Sequence, residues 1–185
     1  MVRVIAGTFR SRLLKTVPGK ATRPTSDRLK ETLFNLLQSR IEGSRFLDAY
    51  AGNGSIGIEA LSRGASFVTF IESSPSASRA IRENLKELGL FPSQDCVLID
   101  RKVEAGLRIL RQAGIKFDIV FLDPPYAATG DYAKVLEGLQ QYQILDSEAL
   151  VIAEHCKYLT LMTKVAGLIR VREVKQGDSV LSIYQ

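Results

Sequence analysis

Asp123-Pro124-Pro125-Tyr126 directly follows a strongly apolar stretch, Phe117–Leu122. A carboxylate followed by a proline-locked carbonyl offers two acceptors to the two N–H bonds of one amino group. The exocyclic amino group of guanine or adenine is a poor nucleophile, because its lone pair is delocalised into the ring. Holding both N–H bonds fixes the nitrogen, favours a pyramidal geometry and aims the lone pair at an electrophilic carbon. Consecutive prolines lock the backbone, so the Pro124 carbonyl is aimed in advance. Tyr126 can stack on an extruded base, worth about 1–3 kcal/mol by analogy with single-strand binders. Positioning of this kind lowers a barrier by up to roughly 7–11 kcal/mol and needs no covalent intermediate. The plainer alternative is a structural Pro-Pro turn.

A second constellation suits the carbon donor. Asp48-Ala49-Tyr50-Ala51-Gly52-Asn53-Gly54-Ser55-Ile56-Gly57 carries the spacing G-x-G-x-x-G. Glycines there allow a tight turn and a close approach of ligand to backbone. Glu72 stands 20 residues after Gly52, placed to accept hydrogen bonds from a ribose diol. Nicotinamide cofactors and S-adenosylmethionine both fit this much. Asp48 favours the second, since a carboxylate beside the loop repels a pyrophosphate and attracts a sulfonium ligand carrying an amino group. Asp-Pro-Pro-Tyr also matches the Asn/Asp-Pro-Pro-Tyr/Phe signature of amino-methyltransferases. The expected cofactor contacts are Asp48, Tyr50, Gly52, Asn53, Gly54, Glu72, Ser73, Lys102 and Val103, with Tyr50 as crevice wall. The adenine has two candidate partners, Asp100 and the backbone at Lys102–Val103. His155, Cys156 and the distant Cys96 do not make a zinc site, so no metal is expected and structural roles are favoured for all three.

The elements that must position these residues alternate. Strands are expected at Arg45–Ala49, Phe67–Glu72, Cys96–Asp100, Phe117–Leu122 and Ala149–Glu154. Helices are expected at Ser55–Arg63, from Pro75 to Gly89, and at Val103–Ala113 and Tyr132–Gln141. Alternation of this kind implies a doubly wound parallel sheet, with ligand at the carboxyl ends of the strands. Leu168–Lys175 and Ser179–Tyr184 flank Gln176-Gly177-Asp178 and form an antiparallel hairpin. The fold class is α/β: a Rossmann-like class I methyltransferase sheet, mostly parallel, closed by that hairpin. Before it, Val2–Val17 reads as two short strands about a turn near Thr8–Ser11. A loop punctuated by Pro18, Gly19 and Pro24 follows, then a helix from about Asp27 with Leu29, Leu33, Leu36 and Leu37 on one face. The expected division is 1–43 as a basic hairpin-and-helix extension and 44–185 as one compact catalytic unit.

Composition excludes several classes. The chain has 185 residues, 45% hydrophobic and 24% charged, ordinary for one globular domain. No apolar run reaches the length of a membrane span, and residues 1–12 lack the apolar core of a secretory signal. Two cysteines make no disulfide framework, and a cytoplasmic location is expected. The formal charge is +5, but residues 1–45 carry +7 and the remaining 140 carry −2. A basic segment on a near-neutral body points to a polyanionic partner, with Arg10, Arg12, Lys15, Arg23 and Arg28 as expected nucleic-acid contacts.

Beyond these motifs, the chain resembles the RsmD-type 16S rRNA (guanine-N2)-methyltransferases nearly end to end. The resemblance is carried by Arg3-Val4-Ile5-Ala6-Gly7, the Arg23–Asn35 segment beginning Arg-Pro-Thr-Ser-Asp-Arg, the run Gly57–Ala65 and Asp123–Tyr126. The Arg-Pro-Thr segment discriminates most, because generic methyltransferases lack it. Tyr50 and Asn53 depart from the family's more usual Phe and Ser or Thr. The resemblance implies donor binding by Asp48–Gly57 and Glu72, and catalysis by Asp123, Pro124, Pro125 and Tyr126. It also implies that the methyl group passes from S-adenosylmethionine, leaving S-adenosylhomocysteine, to a guanine N2 of 16S rRNA, with the basic segment meeting RNA in an assembling small subunit. Competing expectations are an adenine-N6 or other amino-methyltransferase, a nicotinamide-dependent oxidoreductase supported by the glycine spacing alone, and a catalytically dead RNA-binding protein.

Overall fold

The structure is a computed structural model and describes residues 2–17, 26–125 and 130–185. Five parallel strands form the centre of its main sheet: β3 (Arg45–Asp48), β4 (Phe67–Ile71), β5 (Cys96–Ile99), β6 (Phe117–Leu122) and β7 (Leu145–Cys156). After them come β8 (Lys164–Val165), β9 (Leu168–Gln176) and β10 (Ser179–Tyr184), and the spatial order is β5-β4-β3-β6-β7-β10-β9-β8. β10 runs antiparallel between β7 and β9. The chain winds outward from β3 through β4 to β5, then returns to lay β6 and β7 on the other side. The strand order therefore reverses between β3 and β6, where doubly wound sheets bind ligands.

Period-2 alternation along the strands feeds two hydrophobic layers. Phe46, Val68, Phe70, Ile119, Phe121 and Ile152 pack on one side, against α1 (Asp27–Leu36), α2 (Ser55–Ser62) and α3 (Pro75–Glu87). Leu47, Ile71, Val120, Leu122 and Val151 pack on the other, against α4 (Val103–Gln112) and α5 (Asp131–Gln141). β1 (Val2–Arg3) and β2 (Leu13–Leu14) form the expected N-terminal antiparallel pair. Val2 and Leu14 of this pair, with Val4 just after β1, belong to the same hydrophobic layer as α1 and α2.

Two elements differ from expectation. β7 begins at Leu145, before the expected Ala149, because exposed Asp146-Ser147-Glu148 continues the strand across a register shift opposite Phe117–Ile119. Its polar residues read as loop, yet they lie where the ladder is irregular and solvent reaches the side chains. β8 is a two-residue strand with one buried position, too short to leave a periodic signal.

Candidate active site

The glycine loop is held from three sides. Its backbone bonds to both neighbouring strands, Ala49 N–H to the Phe121 carbonyl (3.0 Å) and Ala51 N–H to the Ile71 carbonyl (3.1 Å). Asp48, 1% exposed, reaches across the turn and accepts the Gly57 N–H at 3.0 Å. Gly54 is the N-cap of α2 at φ 80°, a conformation L side chains resist. At Gly57 the constraint is space: a Cβ there would lie 2.2 Å from the Phe70 ring. Gly54, expected among the cofactor contacts, is buried behind the loop and shapes the turn without lining the crevice.

Glu72 spans the loops after β3 and β4. Its Oε2 accepts the Gly52 N–H at 2.8 Å and its Oε1 the Ser74 N–H at 2.7 Å. A carboxylate offers about four lone-pair sites, so two remain for a pair of hydroxyls. Lys102 and Val103 at the start of α4 line the same space, and so does Ser73. Asp100, the other adenine candidate, pairs with Arg82 and lies outside the lining.

These walls enclose a crevice of about 1070 Å³, and Asp123, Pro124 and Pro125 open into it from the end of β6. α5 closes the far side with Asp131 and Lys134. The Tyr50 hydroxyl donates to Asp131 Oδ2 at 3.5 Å, and burial pushes that phenol up. Burial also pushes Asp48 up to about 7; the Gly57 N–H works against the shift and the Glu72 charge adds to it. Asp123 is held well above the ordinary carboxylate range by burial, then by the neighbouring charges of Glu154 and Asp48. Tyr126 and Arg23 lie outside the described residues. Crevice size, glycine cradle, spare lone pairs on Glu72 and a facing carboxylate all suit a nucleoside with a cationic sulfonium tail.

The family model described as Conserved hypothetical protein 95 matches residues 2–185. The chain belongs to that family, the RsmD type. Ribosomal RNA small subunit methyltransferase D of Escherichia coli (strain K12) is 33% identical over 184 residues, covering 100% of this chain and 89% of that one. YlbH of Bacillus subtilis (strain 168), whose name assigns it provisionally to the rRNA methyltransferases, is 35% identical over 184 residues, covering 100% and 98%. The solved structure of yhhF from Escherichia coli superposes with a TM-score of 0.85 at 32% identity, covering 100% of this chain and 97% of that one.

In this RsmD-type chain several of the described N-terminal basic residues already have partners. Lys15 pairs with Glu83 (3.2 Å) and Glu87 (2.8 Å) of α3, which push its ammonium up. Arg12 donates to the Glu87 carbonyl at 3.1 Å, and Arg3 pairs with Asp27 at 3.0 Å. Lys30 is fully buried, donating to the Arg3 carbonyl and lying 3.9 Å from Glu59, and burial lowers its pKa. Arg10 and Arg28 are exposed, and no ion pair among the described residues involves either. Among the described basic residues of 1–45, Lys30 is buried, while Arg3, Arg12 and Lys15 stay exposed but already have partners within the fold.

Three polar residues were missed by sequence reasoning. Buried Asn84 accepts the Lys15 N–H (2.7 Å) and donates to the carbonyls of Lys15 (3.2 Å) and Asn53 (3.0 Å), latching the N-terminal hairpin to the glycine loop. Its signal was an amide beside Leu85 on the apolar face of α3. Glu59 is a lone carboxylate within the apolar run of α2. It accepts the N–H groups of Ile5 (2.7 Å) and Ala6 (3.0 Å) and the Arg63 Nε (2.7 Å). The third is Glu154, buried near the end of β7 and part of the crevice lining. His155 beside it faces Ser182, with Nε2 2.9 Å from that hydroxyl. No cluster of metal-ligating groups occurs among the described residues.

Proposed function

We propose that this chain uses S-adenosylmethionine to methylate the exocyclic N2 amino group of a guanine in 16S rRNA. Relatives named as small-subunit rRNA methyltransferases support the reaction and the RNA class. The observation that carries the site assignment is one crevice into which the glycine loop, Glu72 and the Asp123-Pro124 pair all open. The donor supplies a methyl carbon made electrophilic by its sulfonium. Glu72 takes the ribose hydroxyls and the loop backbone accommodates the amino-acid portion. Asp123 and the Pro124 carbonyl hold the amino group. Arg10, Arg12, Arg23 and Arg28 contact phosphates of rRNA in an assembling small subunit, with residues 1–43 serving the RNA and 44–185 the chemistry. Lys15 holds the hairpin to α3. No described helix is long and apolar enough to cross a membrane, and work on rRNA sets the protein in the cytoplasm.

The test is methyl transfer from labelled donor to 16S rRNA taken from cells lacking the gene, as naked RNA and as particles, followed by mass mapping of nucleosides. The expected product is N2-methylguanosine at one position. Label in N6-methyladenosine, or transfer to neither substrate with donor bound, would sink the guanine assignment.

A further inference from the structure

Glu154 sits where a second carboxylate matters. β6 and β7 are parallel, with Leu122 opposite Ala153. The residues that follow are Asp123, just past the end of β6, and Glu154, still on β7; carrying the register one step further sets their backbones one interstrand spacing apart, about 4.8 Å in a sheet. Both line the crevice, and Glu154 is 7% exposed. Its strand is pinned there: the Tyr132 hydroxyl donates to the Glu154 carbonyl at 2.7 Å, and the Ser179 hydroxyl to Oε1 at 3.1 Å. An acid buried beside the reacting group is expensive unless it has work to do.

Resting on the methyltransferase reading above, we propose that Glu154 acts on the reaction through Asp123: its carboxylate, in register beside Asp123, makes Asp123 the acceptor of the proton that the amino nitrogen sheds. The balance is simple. The nitrogen lone pair forms the N–C bond while the C–S bond breaks, its electron pair passing to sulfur to leave a neutral thioether. The nitrogen is then cationic and carries one proton too many, which moves to Asp123 and leaves with solvent when the product departs. A lone exposed aspartate would be a weak acceptor. Burial and the Glu154 charge raise the proton affinity of Asp123. That brings it nearer the working pH, where a base is most effective.

Other charges reach the same space. Asp48 lies at the end of β3 and Glu72 at the end of β4. Asp131, Lys134 and Glu137 come from α5, and Arg101, Lys102 and Glu104 from around the start of α4. Asp48 is the rival, because it too raises Asp123, but its Oδ2 already holds Gly57. All of these stay unchanged in a Glu154 variant, so a difference between the two proteins reports Glu154.

The experiment is the pH dependence of single-turnover methyl transfer, at saturating donor and RNA, for the wild type and Glu154→Gln. The acid limb should move to lower pH by about one unit, a tenfold loss of proton affinity at Asp123. Donor affinity should stay within about twofold. Coincident limbs overturn the proposal and leave Glu154 a packing residue. Should the variant fail to fold, carboxyl-carbon NMR titration of the wild type answers without substrate: Asp123 should titrate well above the ordinary aspartate range and respond to a second ionisation, and a single step in the ordinary range overturns it. A wild type that binds donor but methylates no RNA would fail the functional reading and leave the NMR result standing.

Discussion

The glycine loop and the N-terminal basic segment both stand out by residue type, and the fold treats them in opposite ways. In the loop, polar groups are consumed from behind: Asp48 on Gly57, and Glu72 on Gly52 and Ser74. The crevice side keeps its lone pairs. In the N-terminal segment three of the charges themselves find partners, Lys30 in the core near Glu59 and Lys15 and Arg3 in ion pairs, while Arg12 spends one donor on a helix-end carbonyl and keeps its charge. A motif made by backbone geometry survives folding as written, because glycine and proline act where they stand. A charge count does not survive, because any charge can find a partner far along the chain.

The most forceful way to break the comparison is to cut the weld between the N-terminal segment and α2, the helix that the glycine loop opens. Glu59 holds two backbone N–H groups of the N-terminal segment, Arg63, and the buried Lys30. Glu59→Ala leaves buried donors and a buried ammonium uncompensated, so unfolding stability should fall by about 3–5 kcal/mol. Denaturant melts measure this. A loss under about 1 kcal/mol would mean that the basic segment is only laid against α2 and is the arm its composition suggested.

Next in size is chemistry. Asp123→Ala should slow methyl transfer by on the order of a hundredfold or more and leave donor affinity nearly unchanged, because the lost contacts belong to the transition state. Single-turnover rates set beside calorimetry give both numbers. A near-normal rate would place amino-group positioning elsewhere. Glu72→Ala reverses the pattern. Losing hydrogen bonds from ribose to a charged group, about 1.5–3 kcal/mol each, should weaken S-adenosylmethionine binding at least about tenfold. Glu72 also holds Gly52 and Ser74, so Glu72→Gln, which keeps one carbonyl acceptor, should lose less. Equal affinity in folded Glu72→Ala would remove it from the site.

What was legible follows the same division. Strand–helix alternation, the hairpin about Gly177 and the loop after β3 all depend on neighbours within a few residues, and the structure has them where local pattern put them. Glu154 was not legible. It sits in an apolar strand, and its meaning comes from a residue 31 positions earlier, through a register that no single sequence displays. Lys30 entered only as one charge in the +7 of residues 1–45, although it adjoins Leu29 on the inner side of α1, because its burial depends on Glu59 arriving from another helix. Gly54 was read as a ligand contact when its left-handed backbone was the reason for glycine. For Glu154 and Lys30 the partner that decides the role was out of reach of local pattern.

The smallest effect separates two residues that composition treats alike. Arg10 is exposed without an ion pair among the described residues, whereas Lys15 already faces Glu83 and Glu87. Phosphate binding releases counterions, and each neutralised phosphate contributes roughly −0.7 to the log–log salt slope on single-stranded RNA. Arg10→Ala should therefore flatten the slope of rRNA binding by about that amount. Lys15→Ala should leave the slope unchanged, because an ammonium between two carboxylates has no free charge to trade. Its removal instead exposes Glu83 and Glu87 to each other, so RNA affinity should fall slightly at low salt through repulsion and recover as salt screens it. A salt titration of both variants reads the difference. Equal flattening in the two would mean that RNA pulls Lys15 away from α3, and the N-terminal segment would then be an RNA arm after all, held down only until its substrate arrives.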